Sequence, residues 1–393
     1  MSRASRWLLP DGVDEIIPPQ AAVIETLRRR MLDTMASWGY ALCMPANVEF
    51  LDSLVSIGGD LELQTFKLTD QVSGRMLGIP ADMTPQIARI DAHRIGAAAP
   101  TRLCYIGSVL HTRPGQFAGS RNPLQLGAEL YGHTGIESDA EVISLMVATL
   151  AVAGVGEITL DLGHMALFHG LATAAQLDAD AEAQVLDALL RKAGDELAEI
   201  LAREQVPDTV AAWLLALLSL NGDREVLVRA SRVLAQAPEA VQMALDALVA
   251  LVDLLERRCP TLNLHLDLAD LRGYQYHTGV MFAAYTVRVG WAIAWGGRYD
   301  NIGARFGRAR AATGFSTDVK LLAALAAPTL PAEASVFAPA GSDAGLLAAM
   351  DAARAAGQVV IQALPGQSGG AEELGCQSQL CQVAGNWQIA PPA

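Results

Sequence analysis

Early in the chain, apolar residues fall at helical spacing: Val23, Leu27, Met31 and Met35 are three or four positions apart with charged residues between them, which predicts a helix over 21–38. Gly39 follows as a stop, since glycine adopts the left-handed backbone that ends helices without penalty. The period then changes. Extended segments are predicted at 40–44, 102–110, 125–131 and 158–161, separated by turn formers and by a helix over 139–152. From Met165 to Arg258 helical spacing takes over, strongest at 187–203 and 238–257. Extended segments return at 262–267, 280–286 and 292–295, and a helix is predicted to start within 313–318. After Pro328 and Pro331 come a strand at 335–338, a helix at 345–356, a strand at 359–363 and a short terminal hairpin within 381–389. The order reads as an α+β core over 1–325, with a helical insertion at about 165–260 and a reduced α/β domain at 331–393.

Composition narrows the class. At 393 residues the chain exceeds what one hydrophobic core usually organises. Its 52% hydrophobic and 18% charged residues suit buried helices rather than disorder. The apolar run at 213–220 is too short to span a bilayer, and the stretch from Arg3 to Gly12 lacks the core of a signal peptide, so a cytoplasmic protein without membrane contact is expected. Five scattered cysteines, an odd number, imply reduced thiols rather than a disulfide framework or a metal site. The net charge of −14, from 28 basic and 42 acidic residues, opposes binding to a polyanion such as tRNA. The basic runs at Arg28-Arg29-Arg30 and 305–310 read as solvated helix faces or loops.

Candidate chemistry concentrates at Arg272-Gly273-Tyr274-Gln275-Tyr276-His277-Thr278-Gly279 and at Gly296-Gly297-Arg298-Tyr299-Asp300. Together these resemble the two histidine-recognising signatures of histidyl-tRNA synthetases. Further patches extend the resemblance over most of 10–325: Trp38-Gly39-Tyr40 with Pro45 and Glu49 resembles the first motif, Asp82-Met83-Thr84 stands where that family has Glu-Gly-Thr, and Gln125, Gly127 and Glu129 match the close of the second motif. The resemblance implies a class II synthetase fold, an antiparallel sheet flanked by helices, and self-association as a synthetase-like dimer. It also implies a histidine pocket. An ammonium group needs carboxylates, a carboxylate needs guanidinium or amide donors, and an imidazole needs a donor and an acceptor. Asp82, Thr84, Gln125 and Arg272 would then meet the backbone end of the ligand, and Glu129, Tyr276, His277 and Tyr299 its ring. His277 replaces the family's second tyrosine.

The residues that would activate an amino acid with ATP are different. That reaction builds charge on a phosphate and needs fixed cations to stabilise it. By alignment with the family's motifs, His111, Leu321 and Pro80 occupy three arginine positions, and Arg113, two residues beyond His111, would face the same side on an extended strand, displaced by about 7 Å, and is the candidate to substitute in part for the missing cation. A histidine of ordinary pKa near ~6.5 is mostly neutral and lacks the guanidinium fork. The 331–393 tail is shorter than the family's tRNA-reading domain of about 100 residues, an ordinary domain size.

This combination, with Leu160-Asp161-Leu162-Gly163-His164 and the run from Asp82 to Arg89, resembles the regulatory subunits of ATP phosphoribosyltransferase. The resemblance implies a non-catalytic subunit without a cofactor, paired in a hetero-oligomer with a short catalytic chain at the first step of histidine biosynthesis. Histidine would be its effector and tRNA no partner. The enzyme alternatives are an active histidyl-tRNA synthetase and a ligase loading a carrier protein, both of which require adenylation. Asp161, His164 and His169 offer a metal-site alternative, but read more simply as ordinary polar residues near a helix end.

Overall fold

The computed structural model describes residues 7–55, 61–114, 120–270, 277–326 and 335–392. The chain divides into two compact units, Met1–Ala327 and Pro328–Ala393.

The first unit is built on a nine-stranded sheet. Its spatial order is Ala41–Leu42, Thr101–Ser108, Leu124–Tyr131, Ala312–Asp318, Ala294–Arg298, Val280–Tyr285, Thr159–His164, Asn263–Asp267 and Asn221–Gly222. The six central strands, from Thr101–Ser108 across to Thr159–His164, are antiparallel throughout, and only the outer pairs 41–42 with 101–108 and 159–164 with 263–267 run parallel. This is the α+β, synthetase-like layering expected from the motifs.

Helices cover one face. Gln20–Ser37 buries Ile24, Leu27, Met31 and Met35, so Ile24 rather than Val23 begins its buried stripe. Gly39 follows with φ +82°, the left-handed geometry its sequence position predicts. Ile136–Ala153 and Glu239–Arg258 pack on the same layer and share its core. The opposite face carries a smaller cluster around Met83, Ile87, Tyr105, Tyr131, Tyr299 and Phe306, under helix Thr84–Ile90. The candidate site residues Thr84, Glu129 and Tyr299 gather on this second face.

Two sequence expectations are corrected. The 313–318 segment is not the start of a helix but the strand Ala312–Asp318, and the helix begins one residue later as Val319–Leu325, where Asp318 caps it by accepting from the Lys320 amide at 3.0 Å. The 187–203 segment is two helices, Ala179–Leu190 and Gly194–Arg203, broken where Lys192 adopts φ +54°. No helix among the described residues is long and apolar enough to cross a membrane.

In the second unit a four-stranded sheet, ordered Val359–Gln362, Ser335–Ala338, Ser378–Val383 and Asn386–Ala390, packs on helix Ala344–Ala355 through Val336, Ala338, Leu346, Met350 and Leu380. The last two strands form the predicted hairpin. Its turn places Ala384 and Gly385 at φ +50° and +83°, both left-handed as a tight two-residue hairpin requires.

Candidate functional site

Side chains alternate faces along a strand, so Gln125, Gly127 and Glu129 on Leu124–Tyr131 all point to the same side. Directly opposite Glu129 lies Gly314, and opposite Gly314 in the next strand lies Gly297. These glycines form a floor. A Cβ at Gly314 would stand 1.6 Å from a Glu129 carboxyl oxygen, one at Gly297 would stand 2.4 Å from the His277 ring, and one at Gly127 would stand 2.3 Å from the Tyr105 hydroxyl. The missing side chains make room for functional groups lying flat on the sheet. Above them is a cavity of about 350 Å³ bordered by Asp82, Thr84, Glu129, His277, Trp295 and Tyr299, within the ordinary size range of small-molecule sites.

Glu129 is its centre and is 1% exposed. Tyr105 donates to Oε1 at 3.0 Å, and the Tyr299 hydroxyl donates to Oε2. Thr84 Oγ1 lies 3.0 Å from the Tyr105 hydroxyl and extends the network. Burial, reinforced by the charge of Asp82, holds the Glu129 carboxyl well above the usual carboxylate range. Asp82 is aimed by its surroundings: Oδ1 accepts from Gln125 Nε2 at 2.7 Å and from the Thr84 amide at 3.0 Å, while Gln125 Oε1 accepts from the Met83 amide at 2.9 Å. Gln125 thus orients the acid instead of lining the cavity. Helix Thr84–Ile90 is held in turn by Glu49, which accepts from Arg89 at 2.5 and 3.0 Å and from Gln86 at 2.8 Å.

The positions where a nucleotide's phosphates would need cations are committed elsewhere. His111 Nε2 meets the Ala81 carbonyl at 2.9 Å and its Nδ1 is buried without a partner, so the imidazole is a clasp behind Asp82. Leu321 is 8% exposed and belongs to the hydrophobic core. Pro80 is buried, and its carbonyl accepts from the Leu110 amide at 3.1 Å. Nearby, Lys320 pairs with Asp14, and Arg121 donates to the carbonyls of Asp11 and His111. Arg113 is exposed, and the strand before it ends at Ser108, so strand alternation does not carry it to the place of His111.

Comparison with known proteins identifies the family. A family model described as Histidyl-tRNA synthetase matches residues 12–322, and one described as ATP phosphoribosyltransferase subunit HisZ C-terminal domain matches 333–390. The ATP phosphoribosyltransferase regulatory subunit of Alkalilimnicola ehrlichii is 52% identical over 394 residues, spanning 100% of this chain and 98% of that relative. The protein of the same name from Thioalkalivibrio sulfidiphilus is 53% identical over 97% of each chain. The chain belongs to the family of ATP phosphoribosyltransferase regulatory subunits. A solved structure titled as an ATP phosphoribosyltransferase regulatory subunit/histidyl-tRNA synthetase, from Bacillus halodurans C, superposes with a TM-score of 0.81 at 27% identity, covering 94% of this chain and 96% of that one.

For this regulatory-subunit chain, the sequence-predicted residues Asp82, Thr84, Glu129, His277 and Tyr299 come together around one cavity, with Gln125 behind them. Arg272 and Tyr276 lie outside the described residues. The metal alternative does not assemble: Asp161 pairs with His265 at 2.5 Å, His169 with Glu182 at 3.3 Å, and His164 caps helix Met165–Ala174. Sequence reasoning missed Trp295 and the role of Tyr105. Trp295 was recoverable, since it lies two residues before Gly297 on the same strand and so faces the same side.

Proposed function

We propose that this chain is a non-catalytic subunit that activates a short catalytic ATP phosphoribosyltransferase chain in the first step of histidine biosynthesis, and that the Glu129 cavity holds free histidine as the feedback signal. The observation that carries the reading is an acidic cavity whose described lining residues include no phosphate-binding cation. Asp82 and Glu129 suit an ammonium and an imidazole, while His111, Leu321 and Pro80 stand where an adenylating site needs arginines. Among the described lining residues there is no lysine or arginine. Arg272 is assigned to the ligand's carboxylate and Tyr276 to its ring, on the strength of the motif alone.

Feedback follows only if histidine binds the active and inactive complexes unequally, because equal affinity shifts nothing. The exposed apolar residues Trp38, Leu42, Met44, Val48 and Phe50 support self-association as a synthetase-like dimer. Calorimetry with histidine on the unaltered protein and on Glu129→Ala tests the pocket, and unchanged affinity in the variant removes the assignment. Co-expression with short catalytic chains, followed by a phosphoribosyl transfer assay with and without histidine, tests the activation. Histidine-dependent exchange of pyrophosphate into ATP would instead establish an active synthetase.

A further inference from the structure

A second cavity, of about 180 Å³, lies on the other face of the sheet behind the first, bordered by Asp139, His164, Ala247, Leu248, Leu251, Thr278 and Arg298. The two cavities share backbone. His277, Gly297 and Tyr299 border the front one, while Thr278 and Arg298, their immediate neighbours, border the rear one with Gly279.

Arg298 is 7% exposed and its guanidinium is fully engaged. It donates to Asp139 Oδ2 at 2.8 and 3.1 Å, to Ser138 Oγ at 2.9 Å, to the carbonyls of His133 and Gly135 at 3.2 Å each, and to Asp300 at 3.2 Å. Its own carbonyl accepts from the Thr278 amide at 2.7 Å, which binds both cavity-lining segments together. The acceptors at 133–139 form the first turn of Ile136–Ala153 and the loop before it.

We infer that Arg298 carries occupancy of the front cavity to helices Ile136–Ala153 and Glu239–Arg258, and that the rear cavity provides the room for that movement. The inference rests on the histidine reading of the front cavity. A ligand that draws in Tyr299 or His277 shifts the backbone on which Arg298 stands. The planar fork of Arg298 is clamped to 133–139 at several points, so that turn must follow. A close-packed interior would resist such a shift, whereas an open space beside Ala247, Leu248 and Leu251 accepts it. Arg298 is a positioning residue here and touches no ligand.

Ala247→Leu fills the rear space from a helix that borders no part of the front cavity. In the complex with a catalytic chain, we expect the variant to bind histidine within about twofold of the unaltered protein while the histidine concentration for half-inhibition rises about tenfold, the scale of ordinary allosteric coupling. Unchanged affinity with unchanged inhibition overturns the inference, as does a loss of affinity that accounts for all the lost inhibition. If the unaltered complex binds no histidine, the pocket reading falls first and this inference with it. Hydrogen exchange on the unaltered complex is a check independent of the variant's folding: histidine should alter exchange at 133–139 and 244–251, and a change confined to 297–299 overturns the inference.

Discussion

The carboxyl group of Glu129 occupies the volume that a side chain at Gly314 would fill: a Cβ there would stand 1.6 Å from Oε2 and 2.8 Å from the Ala128 carbonyl. Such a clash is relieved only by moving Glu129, because the other close neighbour is strand backbone. Gly314→Ala is expected to cost about 1–3 kcal/mol, the usual range for overpacking. It should also abolish measurable histidine binding. Chemical denaturation and calorimetry on the same sample check both effects, and a variant that binds normally would show that the carboxyl is not fixed where the ligand needs it.

Glu129→Gln should separate stability from binding. The folded-state pKa of this carboxyl is raised by burial and by Asp82, so the native protein holds a proton that the unfolded chain releases above the ordinary glutamate value. Stability therefore falls as pH rises above about 4.3 toward the folded value, by linkage. Glutamine keeps the shape without the ionisation. We expect it to be as stable as glutamate or more so at pH 7–8 while histidine affinity drops about tenfold or more, since a charge-assisted contact to the ligand is lost. Thermal unfolding at two pH values with calorimetry reads the two effects, and a destabilised Glu129→Gln at pH 8 would contradict the upward shift of the buried carboxyl.

His164 predicts the opposite pH dependence. Burial, aided by the positive charge of Arg298, pushes its imidazole down to about 4. Below the ordinary histidine value of about 6.5 the unfolded chain takes up a proton that the native protein refuses, so stability falls from pH 6.5 to 4 and levels off beneath. The whole effect is on the order of 3 kcal/mol. In His164→Asn the amide oxygen can replace Nδ1, which accepts from the Ala166 amide at 3.2 Å, so the helix cap is kept. Denaturant midpoints between pH 4 and 7 should flatten in this variant relative to the unaltered protein. Parallel curves would rule out His164 as the source.

Much of the site was legible because its residues sit in short, ordered motifs, and because period-two alternation puts Gln125 and Glu129 on one face without any structure. The strand Ala312–Asp318 was not legible. Its first six residues are all buried, so the polar alternation that marks a half-exposed strand is missing, and the true helix start at Val319 lies just beyond. The break at 191–193 was hidden for a related reason. Ala179–Leu190 and Gly194–Arg203 bury Val185, Leu189, Leu197 and Leu201 at spacing that continues across the interruption. What a sequence cannot display is the facing of Gly297 and Gly314, which depends on the register of strands brought together across the fold.

Trp295 gives the cavity an optical reporter. It borders the same space as Glu129 and His277 and lies opposite Ser316 in the strand ladder, so a histidine entering that space displaces water from beside the indole. Of the other tryptophans, Trp7 is 83% exposed, and Trp38, Trp213, Trp291 and Trp387 do not border this cavity. Histidine titration of the unaltered protein should therefore change tryptophan emission along the calorimetric binding curve. Trp295→Phe should lose most of that change while keeping affinity within about threefold, as an aromatic-for-aromatic replacement at a partly buried wall allows. Emission that still responds in Trp295→Phe would locate the bound histidine away from Glu129, whatever the affinity.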